Sequence, residues 1–231
     1  MKIPAARHRW NLTAGKAAAL QRRLAAEVRH APLRRTPRLV AGADCAILGD
    51  GRGIIACWVL WDAKTRSVVE QAWAVQAIRF PYVPGLLSFR ETPALLVAAR
   101  RLRGEPDACI IDGHGLAHPR RFGIACHVGL LLDRPTMGCA KSRLCGGYRE
   151  PGDQAGRSSR LLESGETIGR VMRTREGVKP VFVSVGHRID LAGAVRLVRQ
   201  CCTRFRLPEP TRLAHQLAAE VKRTLEQEAP G

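Results

Sequence analysis

The chain has 231 residues, 45% of them hydrophobic, and no run approaches the ~18 apolar residues of a membrane span, so one globular α/β domain is expected. Thirty-eight basic residues against 20 acidic give +18 at pH 7, which favours a polyanionic partner. Eight cysteines without a C-x-x-C pair, mostly inside apolar runs, speak against a disulfide framework or zinc site and for buried, reduced thiols.

Residues 1–37 hold nine basic side chains and one acid, Glu27. Apolar positions at Ala17, Leu20, Leu24 and Val28 predict a helix over 14–30. That leaves a basic segment, 1–13, whose hold on nucleic acid would rest on charge alone. An Arg-rich amphipathic start also fits an organellar transit peptide, but no apolar h-region follows, and a cytoplasmic protein is expected.

Strands are predicted at 38–49, 53–61 and 67–78, separated by Gly49-Asp50-Gly51 and Asp62-Ala63-Lys64-Thr65, the short turns of an antiparallel meander. Later strands at 108–111, 136–140 and 180–185 neighbour helical patterns and predict parallel β-α-β units. Helices follow at 89–103, 119–133, 191–205 and 212–228. The polar, Gly- and Ser-rich stretch 149–166 reads as a mobile loop. With no repeat or linker, residues 1–231 form one domain in this reading. Its expected architecture is a ribonuclease-H-like mixed sheet, three antiparallel strands then parallel ones, flanked by helices.

Three acids stand out. Asp44 lies inside an apolar strand, LVAGADCAI, where an unpaired carboxylate costs several kcal/mol. Its plain alternative is a strand-end Asp reaching solvent or an Arg. Asp112 ends the strand ACII, at the carboxyl edge where α/β sheets place ligands, or it simply begins a turn before Gly113. Glu91 completes Ser88-Phe89-Arg90-Glu91, which alone reads as a helix capping box. Together they suit a divalent-cation site for phosphodiester hydrolysis, because Mg²⁺ prefers a few carboxylates plus water and phosphate. His127 reads as a packing histidine, and His187 as a loop histidine, structural or catalytic. No P-loop or Rossmann fingerprint occurs.

Longer strings carry more. FPYVPGLLSFRETPALL (80–96), DGHGLAHPRRFGIACHVGLLLDRPTMGCAKSRLCG (112–146), VGHRIDL (185–191) and LPEPTR (207–212) resemble the endonuclease V family, in order from Gly42 to about Ala218. The resemblance implies a ribonuclease-H-like, metal-dependent DNA-repair endonuclease. It would hydrolyse a bond on the 3′ side of deoxyinosine and leave 3′-hydroxyl and 5′-phosphate ends. It implies that Asp44, Glu91 and Asp112 bind Mg²⁺, with Mn²⁺ able to substitute. His215 takes a fourth position where other members carry Asp, and contact through water is the expectation for a neutral imidazole. Lys141 would meet phosphate or position water, and His118 would lie near the scissile strand. Tyr82 would fill the gap left by a flipped base, and Gly85, Leu87, Gly113 and Ile124 would line its pocket. DNA containing deoxyinosine is the implied partner, for a monomer. Alternatives are inosine in RNA, a junction-type nuclease on the same fold, and a non-catalytic binding protein, which would need a lost carboxylate.

Overall fold

The apolar runs and short turns of the first half fold as their pattern demands. A computed structural model describes residues 1–228. After helix α1 (Ala14–Ala25), strands β1 (Leu39–Ile47), β2 (Gly53–Asp62) and β3 (Ser67–Ala77) form an antiparallel meander. Asp62 organises the second turn: its Oδ1 accepts from the Lys64 and Thr65 amides at 2.8 and 3.1 Å. Every residue of β2 is buried, as a strand covered on both faces must be.

Helix α2 (Leu87–Arg101) covers one face and returns the chain to β4 (Ala108–Ile111), parallel to β1. Helix α3 (Ile124–Leu132) carries it to β5 (Thr136–Ala140), parallel to β4. Next come β6 (Gly147–Tyr148), β7 (Ser158–Glu163), β8 (Glu166–Met172) and β9 (Val181–His187). Helices α4 (Leu191–Cys201) and α5 (Glu209–Glu228) close the chain, with α5 lying over β1 and β2. All nine strands form one sheet, ordered β3-β2-β1-β4-β5-β9-β8-β7-β6. The mixed, helix-flanked, ribonuclease-H-like sheet expected from the sequence is present.

Several expectations are corrected. Strand β9 runs antiparallel to β5, not parallel. No crossover helix joins them; hairpin strands occupy the connection, so the chain comes back in the opposite direction. Much of the supposed loop 149–166 is ordered as the β7–β8 hairpin, turning at Ser164-Gly165, both with positive φ (52° and 81°) as a type I′ turn requires. Leu161, Ile168 and Val171 bury one face of that hairpin. Its remaining irregular part, 149–157, is tied down by Arg173, which donates to the carbonyl of Pro151 at 3.1 Å and to Glu150 at 3.0 Å.

Helix α1 stops at Ala25, and α3 starts at Ile124, five residues later than its pattern suggested. The segment 1–13 is no free arm. Met1 is buried in the main core, and the rings of His8 and Trp10 pack on His127, centroids 5.0 and 5.2 Å away. All eight cysteines are free, and burial pushes the Cys126 thiol up to about 12. Among the described residues, no helix is long and apolar enough to cross a membrane.

Candidate active site

The site starts at a glycine. A Cβ on Gly42 would lie 2.0 Å from the carbonyl carbon of Pro210, so only glycine lets the first turn of α5 rest on β1. Proline near a helix start is favourable, since its missing N–H is not needed there. Just beyond that contact, His215 reaches Asp44, two residues along β1 from Gly42, with Nδ1 2.6 Å from Oδ2. The other Asp44 oxygen accepts from the Cys45 amide at 2.8 Å.

Asp112 sits beside Asp44 because its amide donates to the Ala43 carbonyl at 3.1 Å, extending the parallel ladder by one residue. From the end of β5, Lys141 places its Nζ 2.5 Å from Asp112 Oδ2. Glu91 approaches from the first turns of α2. The capping explanation for it fails: α2 begins at Leu87 after an uncapped Leu86, so Ser88 is inside the helix, bonded to His127.

The electrostatics of this cluster are unbalanced. The side chains of Asp44 and Asp112 are only 12% and 15% exposed, so water screens them poorly. Lost hydration, then the charge of Asp112, raises the Asp44 pKa against the opposing pull of His215 and Lys141. Lost hydration, then the charges of Asp44 and Asp112, pushes the Glu91 carboxyl up to about 8. Such carboxylates call for a cation. Asp44, Asp112 and His215 each offer an atom within 4.8 Å of the others; Glu91 lies beside this group but not within it. The carboxylate oxygens suit a hard divalent cation, while the His215 imidazole, whose Nδ1 is engaged by Asp44, is the softer member of the set.

Beside the cluster lies a cavity of about 150 Å³. The six residues expected for substrate, Tyr82, Gly85, Leu87, Gly113, His118 and Ile124, all line it. Gly113 has φ 147°, and a Cβ there would meet Ile124 Cγ2 at 2.6 Å, so the glycine keeps the cavity open. Tyr82 stands at its edge, 68% exposed. His118 is buried: its Nδ1 accepts from the Arg120 amide at 3.1 Å, so Nε2–H donates to the Gly85 carbonyl at 3.0 Å. Burial holds its pKa down at about 4, and the ring therefore fixes the pocket loop as a neutral donor.

Sequence reasoning missed Gln21, Ser88, His114 and Leu144, which share this wall. Gln21 had a signal, a polar residue on the apolar stripe between Ala17 and Leu24; Ser88 was absorbed into the supposed cap. His127 packs in the core as expected. His187 is structural, accepting from the Arg29 amide at 3.3 Å and facing Asp133 at 3.4 Å.

A ribonuclease-H-like sheet with one carboxylate inside β1 and another just past the end of its parallel neighbour β4 defines a metal-dependent nuclease. A family model described as Endonuclease V matches residues 22–216. An endonuclease V of Geotalea uraniireducens is 49% identical over 205 residues, 89% of this chain and 87% of that one. The Bacillus subtilis endonuclease V structure superimposes with TM-score 0.94 at 31% identity, covering 99% of this chain and all of that one. A Ciona intestinalis endonuclease V, solved with a 24-mer DNA containing an inosine followed by a ribo-adenosine, shares the fold at 23% identity, with TM-score 0.79 over 91% of this chain and 98% of that one. The chain belongs to the endonuclease V family.

Proposed function

We propose that this endonuclease cuts DNA on the 3′ side of deoxyinosine, leaving 3′-hydroxyl and 5′-phosphate ends, as a single-domain monomer in the cytoplasm. The observation that carries this reading is the meeting of Asp44, Asp112 and His215 within 4.8 Å, beside a cavity lined by all six expected substrate residues. Asp44, Asp112 and Glu91 would hold a divalent cation, Mg²⁺ or Mn²⁺, with His215 completing or steadying the set. Such a cation supplies an activated water and stabilises charge on the phosphate.

The chain's own groups do the rest. His215 holds one Asp44 oxygen, and the Cys45 amide holds the other, so the carboxylate cannot swing away. Lys141 offsets the charge of Asp112 and offers its ammonium to a phosphate oxygen. Leu87 and Ser88 line the pocket and open a helix without a side-chain cap, so their amides would be the donors offered to O6 of hypoxanthine. Tyr82 stacks in the gap left by the flipped nucleotide.

The test is cleavage of matched DNA duplexes with and without one deoxyinosine, with Mg²⁺ or with EDTA. Inosine RNA and an inosine-free branched DNA serve as further arms. Specific, EDTA-sensitive cutting of the inosine duplex supports the reading. Faster turnover of the RNA or of the branched substrate would replace it.

A further inference from the structure

Resting on the base-pocket reading above, we propose that Ser88 reads the N–H that deamination creates on the base. The inference comes from following protons outward from the cavity. His8 Nδ1 lies 2.9 Å from the Arg9 carbonyl, which can only accept, so this nitrogen carries the hydrogen. In the neutral ring, Nε2 is then bare. It sits 2.8 Å from His127 Nε2, which must donate to it. That leaves His127 Nδ1 bare, 3.1 Å from Ser88 Oγ, and the serine hydroxyl donates inward. Burial favours the neutral form of both rings, consistent with this assignment. Ser88 therefore turns only lone pairs toward the cavity it lines.

The other polar side chains of the cavity wall agree. Gln21 spends its amide hydrogens on the carbonyls of Gly85 and Phe122, at 3.1 and 3.0 Å. His118 spends its N–H on Gly85. His114 donates Nε2–H to the Ser142 carbonyl at 2.9 Å, which leaves Nδ1 bare, buried and without a partner. Behind Tyr82, whose exposed phenol stands at the rim, the uncommitted side-chain atoms of the pocket are acceptors. A fitting ligand brings a donor.

Deamination supplies one. Adenine has a bare N1, whereas hypoxanthine has N1–H; cytosine and uracil differ in the same way at N3. Facing adenine, Ser88 would either oppose two lone pairs or turn its hydrogen outward and orphan His127. Leaving such a buried group unpaired corresponds to about 5- to 150-fold in relative rate or affinity. The N-terminal segment thus sets base selectivity without touching the base, because His8 fixes the polarity of the chain that ends at Ser88.

The experiment compares kcat/KM, with Mg²⁺, on duplexes that differ at one position: hypoxanthine, purine (bare N1, no O6) or adenine. Ser88→Ala should shrink the hypoxanthine-to-purine ratio by about 5- to 150-fold, with its melting temperature held near the wild-type value. His8→Phe keeps a ring in place but removes the polarity, and should shrink the ratio in the same direction. An unchanged ratio in Ser88→Ala overturns the assignment. Loss in Ser88→Ala with an unchanged ratio in His8→Phe overturns the role of the histidine chain. A wild-type enzyme that fails to prefer hypoxanthine to adenine would overturn the base-pocket reading itself, and this proposal with it.

Discussion

Glu91→Gln removes one carboxylate while keeping its shape, and its consequences differ with and without metal. The Glu91 carboxyl is raised from 4.5 to about 8 by lost hydration and then by Asp44 and Asp112. The unfolded chain ionises this group near 4.5, while the folded chain keeps the proton up to about 8. Between those values the folded state binds more protons, so its stability falls as pH rises. At ~1.4 kcal/mol per pH unit the ceiling over the window is about 5 kcal/mol. Water entering an open site relaxes part of that, leaving a few kcal/mol, or about 3–10 °C in melting temperature for a chain of this size. Glutamine has no such proton to hold. In EDTA, the melting temperature of Glu91→Gln minus that of wild type should be near zero at about pH 5 and rise to several degrees at about pH 8. Titrating groups remote from the site are common to both proteins and cancel. Added Mg²⁺ should close the gap by stabilising wild type, while cleavage by the variant falls by about 10³-fold or more. A difference that stays flat across the window, or a variant that cuts at wild-type rate, would refute the reasoning.

Asp112→Asn should likewise abolish cutting, by about 10³-fold or more, while sparing inosine-DNA binding in a gel-shift assay. His118 is neutral in the fold down to about pH 4, against 6.5 when unfolded. Its contribution is full above 6.5 and lost as pH falls toward 4, by up to about 3 kcal/mol, so His118→Gln should flatten the acid limb of a melting-temperature profile. Tyr82→Ala should weaken duplex inosine binding more than single-stranded binding, because a single strand has less stacking and no pairing to undo, and should leave melting nearly unchanged. Deleting 1–13 would unpack Met1 and Trp10, so charge is tested instead by replacing the exposed Arg9, Lys16 and Arg23 with Gln; the slope of log affinity against log salt should become shallower by about 2–3.

The acids of the candidate site were legible in the sequence because they break a local rule. Asp44 interrupts an apolar strand, and Asp112 closes another; burying such acids is costly enough that each implies a partner. Apolar period and turn residues likewise placed the meander and most of the helices, since both act over a few residues. What the tertiary structure decided depends on where the chain returns. His215 meets Asp44 across 171 positions only because Gly42 lets α5 settle onto β1. The direction of β9 followed from hairpin strands filling a connection where a helix was expected. The hairpin itself hid because its apolar face, Leu161, Ile168 and Val171, is sparse among polar residues and finds its cover only in the assembled sheet. Ser88 looked like part of a helix cap until α2 began one residue before it and His127, 39 residues away, took its hydroxyl. Local patterning fixes period and punctuation; which strands pair, and which side chains meet, is set by long-range packing that no short window contains.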